Sequence, residues 1–146
     1  MWREKDITRE YKKGDIILQE GDLGGEMFII KSGSVDVIKR DDKKEIVLAT
    51  LERGDFFGEM AILENVPRTA RVIARETTHL IALNIGSLLI KIKKDPSFAF
   101  NMMQKMSNRI RLLNEKLLKK EDGGESDRSE INLAITRSEY LRDGEP

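Results

Sequence analysis

The stretch FGEMAILENVPRTA, residues 57–70, places an acid and an arginine nine positions apart around an apolar segment. The segment Met60–Leu63 is apolar enough to lie inside a small domain, and it can begin a helix whose free N–H groups favour a nearby anion. Pro67 predicts a turn that returns Arg68 to the same place. Because an arginine presents a planar, charged fork that fits two oxygens of a phosphate, the stretch indicates an anion site.

Glu59 needs a different partner in this site, because a carboxylate repels a phosphate. Hydroxyl groups beside the phosphate can donate hydrogen bonds to the carboxylate, and Gly58 lets the backbone approach a ligand closely. An acid for a sugar hydroxyl, with an arginine and helix amides for an anion, describes a pocket for a ribose joined to a phosphate. Taken alone, the stretch also fits a plain buried turn with Arg68 on the surface.

The first 84 residues have the pattern of an antiparallel β-structure. Seven segments are short, rich in β-branched residues and separated by glycine turns: ITREY, DIILQE, EMFIIK, SVDVIKR, EIVLATL, TARVIAR and THLIALN. Turns at this spacing favour a barrel or jelly roll over βαβ units. From about residue 86 the period becomes helical, which predicts a short helix before Pro96 and a long helix over roughly 96–120.

The charge is distributed unevenly along the chain. Residues 121–146 hold eight acidic and three basic residues, so residues 1–120 hold 23 basic and 18 acidic residues, a net charge of plus five. This is not the strongly basic character of a nucleic-acid binder, and we predict no DNA partner. Because Gly123 and Gly124 interrupt the helical pattern, we divide the chain into a domain of residues 1–120 and an acidic linker, 121–146, with a tail helix in 129–142.

Several classes of protein are excluded by what the sequence lacks. Cysteine is absent, and His79 is the only histidine, which argues against disulfides, thiol catalysis, iron–sulfur clusters and metal centres built from several histidines. No Ser–His–acid constellation is evident from the spacing. No apolar run reaches the roughly 18 residues of a membrane span, and the N-terminus lacks the apolar region of a signal peptide. We therefore predict a cytoplasmic protein that is not an enzyme and has no metal or cofactor.

The stretch 57–70 resembles the phosphate-binding cassette of the cyclic nucleotide-binding domain, which occurs in the catabolite activator protein, the regulatory subunit of the cAMP-dependent protein kinase and cyclic nucleotide-gated channels. The resemblance extends over roughly residues 7–120, because KKGDIILQEGDLGGEMFIIKSGSVDVI and LERGDFFGE match the family's turn glycines and strands. It implies a mainly β fold, an eight-stranded antiparallel β-roll (a jelly roll) over 7–84, followed by a short and a long helix over about 86–120.

The resemblance also implies that the cassette binds cAMP or cGMP as a regulatory ligand. The ligand-binding residues are then Gly58, Glu59, Met60, Ala61, Arg68 and Thr69. In the family pattern Arg68 pairs with the exocyclic oxygens of the cyclic phosphate, and Glu59 accepts a hydrogen bond from the ribose 2′-hydroxyl. The backbone N–H groups of Gly58, Ala61 and Thr69 complete the site, and a threonine at position 69 is compatible with either nucleotide.

The long predicted helix carries two further expectations. The resemblance implies that it lies over the base, with Leu113 and Asn114 as a base cap, and that it moves when ligand binds. Its apolar residues are spaced four, three, four, three and four positions apart: Ala99, Met103, Met106, Ile110, Leu113 and Leu117. This heptad seam predicts a homodimer joined through helix 96–120, although a helix packed on its own β-roll would also carry an apolar stripe.

The predicted function is a stand-alone cyclic nucleotide receptor whose long helix responds to ligand. Family members that read DNA carry a helix-turn-helix domain after this helix, whereas the 26 residues after Lys120 are acidic and include the glycine pair. The alternative is a cyclic nucleotide-dependent transcription regulator that lacks a complete DNA-binding domain.

Overall fold

The computed structural model of the protein describes residues 7–120, which form eight strands and three helices. Their bounds are β1 (Ile7–Tyr11), β2 (Ile16–Leu18), β3 (Glu26–Ser32), β4 (Ser34–Asp41), β5 (Lys44–Glu52), β6 (Phe56–Phe57), α1 (Glu59–Leu63), β7 (Arg71–Ala74), β8 (Thr78–Asn84), α2 (Ile85–Lys94) and α3 (Pro96–Lys120). The predicted β-roll followed by a short and a long helix is confirmed. The predicted tail helix in 129–142 lies outside the described residues.

The strands form two four-stranded antiparallel sheets, in the orders β1-β8-β3-β6 and β2-β7-β4-β5. Side chains alternate across a strand, and the facing sides of the two sheets supply the main core cluster; Met27, Ile81 and Leu83, on the other face of β3 and β8, are also buried. The core cluster draws on both sheets and consists of Phe28, Ile30, Val35, Leu51, Phe57, Val72, Leu80 and Ala82. Within it the rings of Phe28 and Phe57 stack with their centroids 5.4 Å apart. The two sheets therefore enclose one hydrophobic core, as in a jelly roll.

Strand β6 is the strand that the sequence pattern did not predict. It has only two residues, Phe56 and Phe57, which pair with Ile29 and Phe28 of β3. Two residues are too few to show the alternation by which strands are recognised. Both rings are buried, so β6 fixes the point at which the chain leaves the sheet and enters α1.

Helix α2 follows the last strand directly, and α3 follows α2. The side chain of Asn84 accepts a hydrogen bond of 2.8 Å from the backbone N–H of Ser87 and caps the start of α2. By its internal contacts the described part of the chain divides into two compact units, one with the β-roll up to Pro96 and one with most of α3 from Ser97 onward. None of the helices within residues 7–120 is long and apolar enough to cross a membrane.

Candidate functional site

Gly58 connects strand β6 to helix α1 and sets the position of the acid. Its φ of 80° lies in the left-handed region that favours glycine. This turn places Glu59 at the first residue of α1, where its side chain is half-buried. A carboxylate at this end of a helix is stabilised by the free N–H groups of the first turn.

The backbone of Arg68 is tied to the turn between β2 and β3. Its N–H donates to the carbonyl oxygen of Asp22 at 2.8 Å, and its carbonyl oxygen accepts from the N–H of Gly21 at 2.8 Å. Two residues 46 or more positions earlier in the chain therefore fix the place of Arg68, which a local sequence pattern cannot show.

The guanidinium of Arg68 is held by two backbone carbonyls. Nη1 donates to the oxygen of Gly58 at 2.9 Å, and Nη2 donates to the oxygen of Glu26 at 2.8 Å. The residue is buried, with 8% of its surface exposed. A carbonyl carries no net charge, so these bonds orient the fork without neutralising it. Among residues 7–120 they engage two of the five N–H donors of an arginine, which leaves three for a ligand.

Burial and nearby carboxylates act in opposite directions on this guanidinium. Burial lowers the pKa of Arg68, and the carboxylates of Glu26, Asp22 and Glu59 raise it in part. Because an arginine pKa is so high, the side chain stays charged at any physiological pH. The structure thus keeps a partly desolvated positive charge in a fixed orientation, which is an arrangement that favours an anionic ligand.

Two glycines leave room for the guanidinium. A Cβ added to Gly24 would lie 2.3 Å from Nη2 of Arg68, and a Cβ on Gly58 would lie 2.9 Å from Nη1. Both distances are shorter than any ordinary contact, so side chains at these positions would displace the fork. The sequence identified Gly58 as a place of close backbone approach but gave Gly24 only a role in a turn.

The apolar segment beside Glu59 is more exposed than the sequence indicated. Ala61 is buried, whereas Met60 and Leu63 are exposed by 42% and 51%. The expectation that this whole segment lies inside the domain is therefore wrong. A five-residue helix on the surface of the β-roll can bury only one side, which here is the side of Ala61.

Thr69 lies beside Met60 at the surface. Its hydroxyl contacts Sδ of Met60 at 3.9 Å, and its carbonyl oxygen accepts from Nζ of Lys39 at 3.0 Å. The structure thus brings Arg68 to Gly58 and Thr69 to Met60. The predicted base cap, Leu113 and Asn114, lies on α3 in the second unit, and its role stays a prediction.

A second polar cluster surrounds the single histidine. Nδ1 of His79 lies 3.0 Å from Oγ of Ser32, and Nε2 lies 3.7 Å from Oε1 of Glu10. These three side chains stand on the outer surface of the β1-β8-β3 sheet, and no buried acid orients the imidazole as in a catalytic triad. Residues 7–120 contain no group of three or more His, Cys, Asp or Glu that could hold a metal ion. We therefore assign this cluster no role in the site.

Comparison with known proteins gives a consistent result. Residues 8–95 match the family model described as "Cyclic nucleotide-binding domain". A cAMP-dependent protein kinase regulatory subunit from Mycosarcoma maydis is 44% identical over 80 residues, which are 55% of this chain and 15% of that protein. A Cyclic AMP receptor protein from Thermus thermophilus is 35% identical over 104 residues, which are 70% of this chain and 48% of that protein. The chain thus matches less than half the length of either relative.

A solved structure extends the comparison to the fold. The crystal structure of Thermus thermophilus Catabolite Activator Protein superposes on this chain with a TM-score of 0.69 at 33% sequence identity. The match covers 77% of this chain and 53% of the chain in that structure. The match therefore includes the β-roll and the arrangement of its strands.

Proposed function

Because the chain belongs to the cyclic nucleotide-binding domain family, we propose that it is a receptor module for cAMP and cGMP that holds the cyclic phosphate with Arg68. The observation that carries this proposal is the guanidinium of Arg68, which two backbone carbonyls orient and which no carboxylate of residues 7–120 neutralises by direct contact. A phosphate would supply the negative charge that balances this buried guanidinium.

The remaining residues of the cassette complete the proposed site. The first N–H groups of α1 have no partner within the helix, so we expect that of Ala61 to donate a hydrogen bond to the phosphate. The carboxylate of Glu59 would accept a hydrogen bond from the ribose 2′-hydroxyl. Since α1 follows Gly58 directly, one short segment presents the acceptor for the sugar and the donors for the phosphate.

We propose binding without catalysis. The names of the two curated relatives, a regulatory subunit and a receptor protein, support this role.

The proposal is tested by calorimetric titration of the purified protein with cAMP and with cGMP. We expect saturable binding of one nucleotide per chain, with 5′-AMP as a comparator that carries the same base but an open, doubly charged phosphate. If neither cyclic nucleotide bound to the protein in these titrations, the proposal would be overturned.

Thr69 is predicted to contribute more to the binding of cGMP than to the binding of cAMP. Among the described residues the hydroxyl of Thr69 has one partner, the weak acceptor Sδ of Met60, so it can turn to the exocyclic amine of guanine at little cost. Thr69→Ala should weaken cGMP binding by roughly tenfold, the value of one hydrogen bond, and cAMP binding by much less. Competition titrations with both nucleotides measure the ratio, with Thr50→Ala, a threonine bonded to Asp36, as the control. Equal losses for the two nucleotides would remove this role.

We also propose that α3 joins two copies of the chain and responds to ligand. The helix spans all six seam residues named above, and Met103, Ile110 and Leu113 are exposed by 59%, 60% and 50%. Burying such a heptad seam against the same seam of a second chain would remove this apolar surface from water. The repeat of the seam favours a second α3 as its partner over an unrelated surface.

Analytical ultracentrifugation tests the dimer. At tens of micromolar the unmodified protein should sediment with twice the mass of the chain, and Ile110→Asp should restore the mass of one chain, because it places a carboxylate at the seam. Asn108→Asp adds the same charge to α3 on the side of the helix away from the seam and should leave the dimer intact. A single-chain mass for the unmodified protein, with and without cAMP, would contradict the proposal.

A further inference from the structure

We propose that Arg9 is a positioning residue of the nucleotide site, because it holds the carboxylate of Glu26 away from the guanidinium of Arg68. Arg68 then keeps its free N–H groups for the phosphate of the ligand. This inference rests on the proposed function of Arg68, and it assigns a task to a pair of residues that lie outside the cassette.

The ion pair between Arg9 and Glu26 has the geometry of a strong interaction. Nη1 and Nη2 of Arg9 donate to Oε1 and Oε2 of Glu26, each at 2.9 Å. Such a two-bond fork satisfies one lone pair on each oxygen and fixes the plane of the carboxylate. Both side chains are about one-third exposed, so the pair stands at the rim of the β-roll and not in its core.

Arg9 is itself held in a defined direction. It lies on β1, two residues from Tyr11, whose side chain packs against the core cluster. Residues two apart on a strand point to the same face, so Arg9 points toward the interior of the roll. There its guanidinium carbon lies 5.8 Å from the centroid of the Phe28 ring, a distance at which the ring attracts a cation.

Glu26 contacts both Arg9 and Arg68. Its carboxylate binds Arg9, and its backbone oxygen accepts the hydrogen bond from Nη2 of Arg68. Its charge heads the carboxylates that act on Arg68, ahead of Asp22 and Glu59. Without Arg9, rotation of one side chain would bring this carboxylate to the donors of Arg68 that the ligand needs. An unpaired carboxylate beside the site would also repel the phosphate, so both effects weaken binding.

The inference is tested with a charge-matched set of variants. Arg9→Gln should weaken cAMP and cGMP binding by about tenfold, the size of one charge-assisted hydrogen bond. The double variant Arg9→Gln/Glu26→Gln has the net charge of the unmodified protein and should bind within about twofold of it. Glu26→Gln alone should bind at least as tightly as the unmodified protein. Arg75→Gln, which removes the same charge from an ion pair with Asp36, should change affinity by less than about twofold.

A measurement without ligand separates this inference from the proposed function. The guanidinium N–H resonances of Arg68, assigned by their loss in Arg68→Ala, should shift in Arg9→Gln and return in the double variant. That result would support the role of Arg9 even if neither nucleotide bound. Resonances that do not move in Arg9→Gln, unchanged affinity in that variant, or a double variant as weak as Arg9→Gln would each overturn the inference. Thermal unfolding of every variant tests that each one is folded, so that a loss of affinity is not a loss of folding.

Discussion

Arg68→Ala is expected to weaken binding of cAMP and cGMP by roughly 30-fold to several-thousand-fold. Removing one side of a buried, hydrogen-bonded charge pair costs about 2–5 kcal/mol, and each 1.4 kcal/mol is a factor of about ten in affinity. The lost group is the one that two carbonyls orient and burial partly desolvates. Calorimetric titration of the variant with both nucleotides measures the loss.

The fold should survive this substitution. Arg68→Ala leaves the carbonyls of Gly58 and Glu26 without their present donor, but it also removes a charge whose burial is unfavourable, as the lowered pKa of Arg68 indicates. Cooperative thermal unfolding should therefore remain. Arg68→Lys keeps the charge without the planar fork and should restore only part of the affinity, whereas Arg75→Ala should have no comparable effect. An Arg68→Ala protein that binds either nucleotide as tightly as the original would contradict the account.

Gly24→Ala is expected to weaken the binding of both nucleotides by about 10- to 100-fold. The new methyl group would lie 2.3 Å from Nη2 and 2.7 Å from the guanidinium carbon of Arg68. The far end of a flexible side chain yields more readily than backbone, so Arg68 moves and the domain stays folded. A displacement of about 1 Å is enough to lose a large part of an oriented interaction. Titration calorimetry measures the affinity, and thermal unfolding measures the stability.

The neighbouring residue supplies a matched control. A Cβ on Gly25 would meet nothing within 4 Å, so Gly25→Ala makes the same change one position away without touching Arg68. It should bind both nucleotides like the unmodified protein. Equal affinities for the Gly24→Ala and Gly25→Ala proteins would mean that the guanidinium does not need its present position.

Much of the fold could be predicted because its elements have clear periods. The seven predicted strand segments correspond to β1–β5, β7 and β8, and the change to a helical period near residue 86 falls next to the start of α2 at Ile85. Strand β6 was missed because a pair of phenylalanines has no period. The burial of α1 was overestimated because a short apolar run does not reveal which of its sides faces the core.

The site could be predicted only where it is local in sequence. Glu59 and Arg68 lie nine positions apart in one motif, and their roles came from its resemblance to a known cassette. Three other residues that bear on Arg68 are 42 to 59 positions away. Gly24 leaves room for its guanidinium, Glu26 accepts a hydrogen bond from it through a carbonyl, and Arg9 binds the carboxylate of Glu26. Such contacts depend on how β1 and β3 lie beside β8, and neither composition nor spacing records them.

The most direct test of the central claim compares the affinities of cAMP and adenosine for the unmodified protein and for Arg68→Ala in one calorimetric series. Both ligands have the same base, and adenosine lacks the phosphate. The account predicts that the unmodified protein prefers cAMP by at least about 30-fold and that Arg68→Ala loses most of this preference. An equal preference for cAMP in the two proteins would show that Arg68 does not bind the phosphate.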